Sequence, residues 1–323
     1  MKSGRNSKSR SILIGHLASF GAYTIFGLNI IFSKDIANSG VIPPLELFTF
    51  RAVSAAMLFW LLSCFTPREK VPFSDLLRMV GAAVLGLVVP QLTFLYAITM
   101  TAPIDLSVVQ TITPILTMFV AAIFLKEPIT LKKAGGVALS FAGIVWLILQ
   151  STHADSGTVT TPLGIILTVT NSMSFAFYLG LCRPIITRYS VVTLMKWMFT
   201  FATLVSLPFS IKGIVALNYG AVTGQVWWEI GYLIFFATFI AYFLIPLGQQ
   251  RIRPTLVSLY GYLQPLIATV VSIAIGMDRI TVFKILAALC VFGGVAIVNQ
   301  SRAAAVPARG VTTHTDAEKS RQS

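Results

Sequence analysis

Within the long apolar stretches of this chain a few polar side chains recur at helical spacing, and they are the residues with chemistry to offer. Gln110, Thr113 and Thr117 follow one another by three and four, which puts them on the helix face that includes Pro114. Asn171, Ser174, Tyr178 and Cys182 form a second stripe, and Thr238, Tyr242, Pro246 and Gln249 a third. Gln264 stands with Gly261 and Pro265, while Asn29 and Gln91 contribute single amides. Such groups are costly against hydrocarbon, so they should face protein or water. Their chemistry is reversible hydrogen bonding to a polar solute. On this ground Asn29, Gln91, Gln110, Thr113, Asn171, Tyr178, Tyr242 and Gln264 are candidate substrate-binding residues. The plainer reading of each is interhelical hydrogen bonding, worth about 0.6–2 kcal/mol apiece.

Pro114 and Pro265 sit near the middle of their stretches, where proline removes an i to i−4 hydrogen bond and frees a carbonyl. Both are candidate hinges. Arg51 and Lys196 are the basic residues that fall within apolar stretches. Arg51 could meet a substrate carboxylate, but the preferred expectation is that it snorkels outward or pairs with Glu46 or Asp105, and that Lys196 snorkels to the other side.

Catalytic and metal chemistry find little support. His16, His153 and His314 are far apart, and Cys64, Cys182 and Cys290 lie in separate apolar stretches where buried small side chains are the default. We therefore assign no catalytic residue, no metal site and no cofactor. No acidic residue is predicted at the bilayer centre, which leaves His16 as a weak candidate for carrying a proton.

These residues need elements to hold them. Of 323 residues, 56% are hydrophobic and 11% charged, with a mean hydropathy of +0.83, against a charged fraction of about 25% in soluble domains. Apolar runs bounded by charges and turns predict an all-α membrane protein of ten helices: 12–34, 44–65, 75–98, 103–125, 131–150, 162–185, 191–211, 227–249, 254–276 and 281–300. Segments 1–11 and 301–323 are polar tails, the latter expected to be disordered, and 151–161 is a linker. With a cytoplasmic amino terminus, 18 of the 24 Lys and Arg residues fall on the cytoplasmic side and 4 on the other. The positive-inside rule thus puts both termini in the cytoplasm, and the net charge of +13 reflects orientation and contact with anionic membrane lipid rather than a nucleic-acid partner.

A shift of 151 residues brings Pro103 onto Pro254, Ser107 onto Ser258, Pro114 onto Pro265, Glu127 onto Asp278, Lys133 onto Lys284, Phe141 onto Phe292 and Gly143 onto Gly294. The chain reads as two five-helix repeats, 12–150 and 162–300. Because five is odd, the second enters the membrane from the opposite side, so the repeats are inverted, an architecture typical of secondary transporters.

The segment SVVQTITPILTMFVAAIFLKEPITLKKAGGVALSFAGIVWL and its partner VSLYGYLQPLIATVVSIAIGMDRITVFKILAALCVFGGVAIV resemble the repeated EamA unit of the drug/metabolite transporter superfamily. ELFTFRAVSAAMLF around Arg51 is similar to the second helix of that unit. Asp278-Arg279 departs from the first unit's Glu127-Pro128. The resemblance implies a non-enzymatic carrier in the bacterial inner membrane, exporting an amino acid or related small metabolite by alternating access. A homo-oligomer is compatible with it. The competing readings are a carrier-fold scaffold or channel without coupled transport, and a membrane-embedded enzyme.

Overall fold

The computed structural model describes residues 2–125 and 160–276, together with helical positions scattered through 131–146 and 281–297. Among the described residues all regular structure is helical, and eight helices are long and apolar enough to cross a membrane. They are α1 (Arg10–Ser39), α2 (Pro44–Ser63), α3 (Phe73–Thr99), α4 (Pro103–Phe124), α5 (Pro162–Leu181), α6 (Val191–Ala216), α7 (Gly224–Gln249) and α8 (Leu256–Ala274). Most of the helices predicted at 131–150 and 281–300 lies outside the described residues, as do Glu127, Asp278 and the 301–323 tail.

Proline opens α2, α4 and α5 at Pro44, Pro103 and Pro162, where its missing N–H costs no helical bond. Gly40, with φ of +64°, turns the chain out of α1. Several predicted boundaries move, among them the end of the first helix, expected at 34 and found at Ser39. The helix expected to run to 185 stops at Leu181, and a short helix Arg183–Arg188 follows, because Pro184 cannot donate back to Gly180 and so cannot continue α5. In contrast, α6 continues through Pro208 to Ala216, past the predicted end at 211.

The two mid-membrane helices with Pro114 and Pro265 are both broken, and at corresponding points. In α4 a helix Pro103–Gln110 gives way at Thr111-Ile112 to a second helix, Thr113–Leu125. In the α8 region, Pro254–Leu259 passes through a 3-10 turn, Tyr260–Tyr262, into Leu263–Ala274. Pro114 leaves the Gln110 carbonyl without its helical donor, and the Thr113 hydroxyl donates to it instead at 2.8 Å. A second matched pair of irregularities appears as π-helical segments, Val84–Val88 in α3 and Leu233–Ile240 in α7. Shifting the first by 151 residues lands it inside the second.

Packing follows the same pairing. The helix α2 packs along α6; the second half of α3 packs on α5, as the second half of α7 packs on α1; and the second half of α4 lies on α5, as Leu263–Ala274 lies on α1. Phe59 of α2 stacks on Phe199 of α6 with ring centroids 5.6 Å apart. Outward faces carry large apolar side chains such as Trp60, Phe209, Trp228, Leu266 and Val270, an exterior suited to lipid. Cys64 belongs to this exposed set, contrary to the expectation of a buried thiol, because it ends α2 where the chain leaves the bundle.

Candidate substrate cavity

Seven of the eight predicted binding residues line one cavity. Asn29, Gln91, Gln110, Thr113, Asn171, Tyr242 and Gln264 surround about 610 Å³ of atom-free space, part of it open, in company with Tyr23, Phe26, Arg51, Phe94 and Phe175. The cavity sits at mid-span. Arg51 is the eighth residue of a 20-residue span, Gln110 the eighth of 22, Asn171 the tenth of 20 and Gln264 the ninth of 19.

Backbone irregularity and side-chain polarity meet here for a physical reason. Proline at position 90 has no N–H to return to the π-helical turn before it, so the Leu85 carbonyl five residues back is left for another donor. Ser174 of α5 donates to the Leu85 carbonyl at 2.9 Å, and Asn171 donates to the Pro90 carbonyl at 2.6 Å. Gln110 then donates to the Asn171 side-chain oxygen at 3.3 Å, while its own side-chain oxygen is buried with no hydrogen-bond partner. Of the two readings, interhelical hydrogen bonding is what these contacts display. They tie helices together, and Gln110 keeps an acceptor in reserve.

Thr117 and Gln249, two further polar members of the stripes, bond within the protein. Thr117 donates to the Thr113 carbonyl at 2.8 Å, and Gln249 donates to the Leu179 carbonyl between α7 and α5. Tyr178 lies outside the cavity lining. It is 1% exposed, with its ring pressed against Gly86 of α3 and beside Phe175. Pro265 is buried in the second broken helix, and Pro114 is the second residue of the second segment of the first.

Arg51 corrects its expected placement. It neither snorkels nor pairs with Glu46 or Asp105: the side chain is 2% exposed and turns inward to line the cavity. Its Nε donates to Thr238 Oγ1 at 2.8 Å, while Nη1 is buried with no hydrogen-bond partner. Thr238 can accept because its own proton goes to the Leu233 carbonyl at 2.7 Å, five residues back across the π-helical turn. Glu46 instead lies against Gly213 of α6, and Asp105 accepts from Thr160. Lys196 places its ammonium over the Trp60 ring, 4.8 Å from the centroid, between α6 and α2. His16 hydrogen-bonds the Tyr260 hydroxyl at 2.8 Å, away from the cavity.

The aromatic wall was missed in the sequence, although its spacing was visible. Tyr23 and Phe26 precede Asn29 by six and three, Phe94 follows Gln91 by three, and Phe175 follows Asn171 by four. Phe26, Phe94 and Phe175 therefore each share a helix face with a residue already singled out, and Tyr23 lies one turn before Phe26. Tyr242 packs edge-on against Phe26 with centroids 5.5 Å apart.

Among the described residues, an all-helical bundle with eight membrane-length helices, an apolar exterior and a cavity at mid-span lined in part by polar side chains defines a multi-pass membrane protein. The family model for the EamA-like transporter family matches residues 13–149 and again 162–300, and the chain belongs to that family of membrane transporters. The "Uncharacterized transporter YyaM" of Bacillus subtilis (strain 168) is 25% identical over 210 residues, 62% of this chain and 66% of that protein, just under two thirds of its length. The "Uncharacterized transporter YetK" of the same organism is 20% identical over 259 residues, covering 79% of this chain and 78% of the other. A solved crystal structure shares the fold with a TM-score of 0.62 at 17% identity, covering 90% of this chain and 97% of that one.

Proposed function

We propose that this protein is a secondary carrier that moves a small metabolite across the bacterial inner membrane by alternating access, in the export direction. It would comprise ten helices in two inverted repeats, 12–150 and 162–300, joined by the 151–161 linker, with the 1–11 and 301–323 tails both in the cytoplasm. The observation that carries this reading is the mid-span cavity, where polar residues from both halves converge next to two helices broken at corresponding points. Broken helices beside a midplane site are the construction from which carriers rock one repeat against the other. Asn29, Gln91, Gln110, Thr113, Asn171, Tyr242 and Gln264 would bind the solute, Tyr178 would support α3 against α5 from behind, and Pro114 and Pro265 would mark the hinges. The matched breaks, the matched π-helical segments and the exchanged helix contacts support the repeat.

The test is flux. Purified protein in liposomes, offered a broad panel of amino acids and related metabolites, should move at least one member above the empty-liposome rate. Gln110→Ala and Gln264→Ala should each cut that rate about tenfold, as expected for loss of one or two hydrogen bonds to the solute, with expression unchanged. No flux for any member would remove the carrier reading. Unchanged flux in both variants would reduce the amides to packing.

A further inference from the structure

The one formal charge on the cavity wall is a cation, and this restricts what can bind. Its lining residues are Arg51, five amides, a threonine and two tyrosines among apolar and aromatic side chains, with no carboxylate. Among the described residues Arg51 has no ion-pair partner within 4.0 Å, and its Nη1 makes no hydrogen bond. A guanidinium stays charged in proteins, and a buried charge is costly unless something neutralises it. Here no side chain of the cavity does so. Meanwhile Thr238 holds Nε in place, which fixes the plane of the guanidinium and leaves its outer nitrogens as a fork for a two-oxygen anion.

We propose that Arg51 is the anion-recognising residue of the cavity and that the cargo is a small organic monocarboxylate whose remainder is neutral. The inference rests on the carrier reading and deepens it by naming the substrate class. A single guanidinium balances one negative charge, so a doubly charged phosphate ester would bring an uncompensated charge into the bilayer. A cation is worse, because it meets Arg51 and finds no acid on the wall. A zwitterionic amino acid satisfies Arg51 but leaves its ammonium to neutral acceptors such as the unpartnered Gln110 oxygen. The neutral part of a hydroxy or keto acid suits the same amides without that cost, and its apolar body suits Phe26, Phe94 and Phe175.

Four probes on one carbon frame separate these cases: phenyllactate, phenylalanine, phenyllactamide and phenylalaninamide. Thermal stabilisation of the full-length protein in detergent should rank phenyllactate first and phenylalanine second, with apparent affinities at least tenfold above the two amides. Arg51→Gln should erase the ranking without lowering the melting temperature of the unliganded protein, since it removes an uncompensated charge. Arg51→Lys, which keeps the charge but loses the fork, should keep the ranking with about tenfold weaker binding. Equal stabilisation by acid and amide, or a ranking that survives Arg51→Gln, overturns the proposal. A drop of several degrees in unliganded Arg51→Gln also overturns it, because the guanidinium would then be a structural tie. Uptake into liposomes distinguishes the two levels of failure. Flux of the amides without phenyllactate leaves the carrier and refutes the anion selectivity, whereas no flux of any panel member in wild type refutes both.

Discussion

Substituting Gly86 by alanine probes a close approach of α3 and α5 behind the cavity. A Cβ added there would stand 2.6 Å from Cδ2, 2.7 Å from Cγ and 2.9 Å from Cε2 of the Tyr178 ring. Carbon atoms pack at about 3.5–4.0 Å, so the ring would have to retreat by about 1 Å. Cγ is the ring atom joined to the side chain's Cβ, and Tyr178 is 1% exposed, so the retreat must carry α5 with it. Overpacking of this kind costs about 1–3 kcal/mol, and alanine returns at most about 1 kcal/mol in helix propensity. Gly81 of the same helix has nothing within 4 Å of an added Cβ, so Gly81→Ala keeps the gain and avoids the clash. At about 2–4 °C per kcal/mol, the apparent melting temperatures of the two variants in detergent should differ by about 2–12 °C, with Gly86→Ala the lower. Adding Tyr178→Leu to Gly86→Ala should recover part of the loss. Equal melting temperatures for Gly81→Ala and Gly86→Ala would refute the contact.

Ser174→Ala removes the donor to the Leu85 carbonyl, leaving that oxygen orphaned inside the bundle, and should cost about 1 kcal/mol in the same melting assay. At the amino end of α6, Ser190 accepts from the Thr193 N–H at 3.2 Å, so Ser190→Ala should cost about 1 kcal/mol at pH 7, read as a melting-temperature drop absent from Thr187→Ala at an exposed position of the short helix. Glu69 accepts from the Ser190 N–H at 3.1 Å and from its hydroxyl at 2.8 Å. Partial burial works to raise the Glu69 carboxyl, but its hydrogen bonds from Thr193 and Ser190, with Lys196 nearby, prevail and hold it below the usual range. A carboxyl lowered on folding adds stability above its unfolded pKa, about 4.3, and loses it as pH falls through the folded value. Wild type should therefore lose melting temperature more steeply than Glu69→Gln below about pH 4, and parallel curves would show that the carboxylate contributes nothing.

Much of the site was legible because membrane sequences expose their exceptions. An amide in hydrocarbon is conspicuous whatever surrounds it, and Gln91, Gln110, Asn171 and Gln264 could be singled out from composition and spacing alone. Tyr178 carried the same signal yet lies behind the cavity wall, since a period of 3.6 names a face of α5 without saying which part of that face opens on the cavity. Arg51 shows the opposite error. Its position in mid-helix was plain, but the direction of a long side chain is chosen by its neighbours, and the decisive neighbour was Thr238, 187 residues away.

The sequence by itself determined that the chain lives in a membrane, that helices carry it, where prolines begin or interrupt them and which polar residues must be sheltered. These follow from local hydropathy, the missing proline N–H and the 151-residue self-similarity, none of which needs a partner helix. Only the tertiary structure decided that Asn29, Gln91, Gln110, Asn171, Tyr242 and Gln264 surround one space, that π-helical turns lie at matching places in α3 and α7, and that Arg51 points inward with no acid to meet it. The reason is that a helix repeats its face every turn but does not encode its rotation or its neighbour. Those are set by packing between helices distant in sequence, where each buried polar atom must find a partner or be left for a ligand.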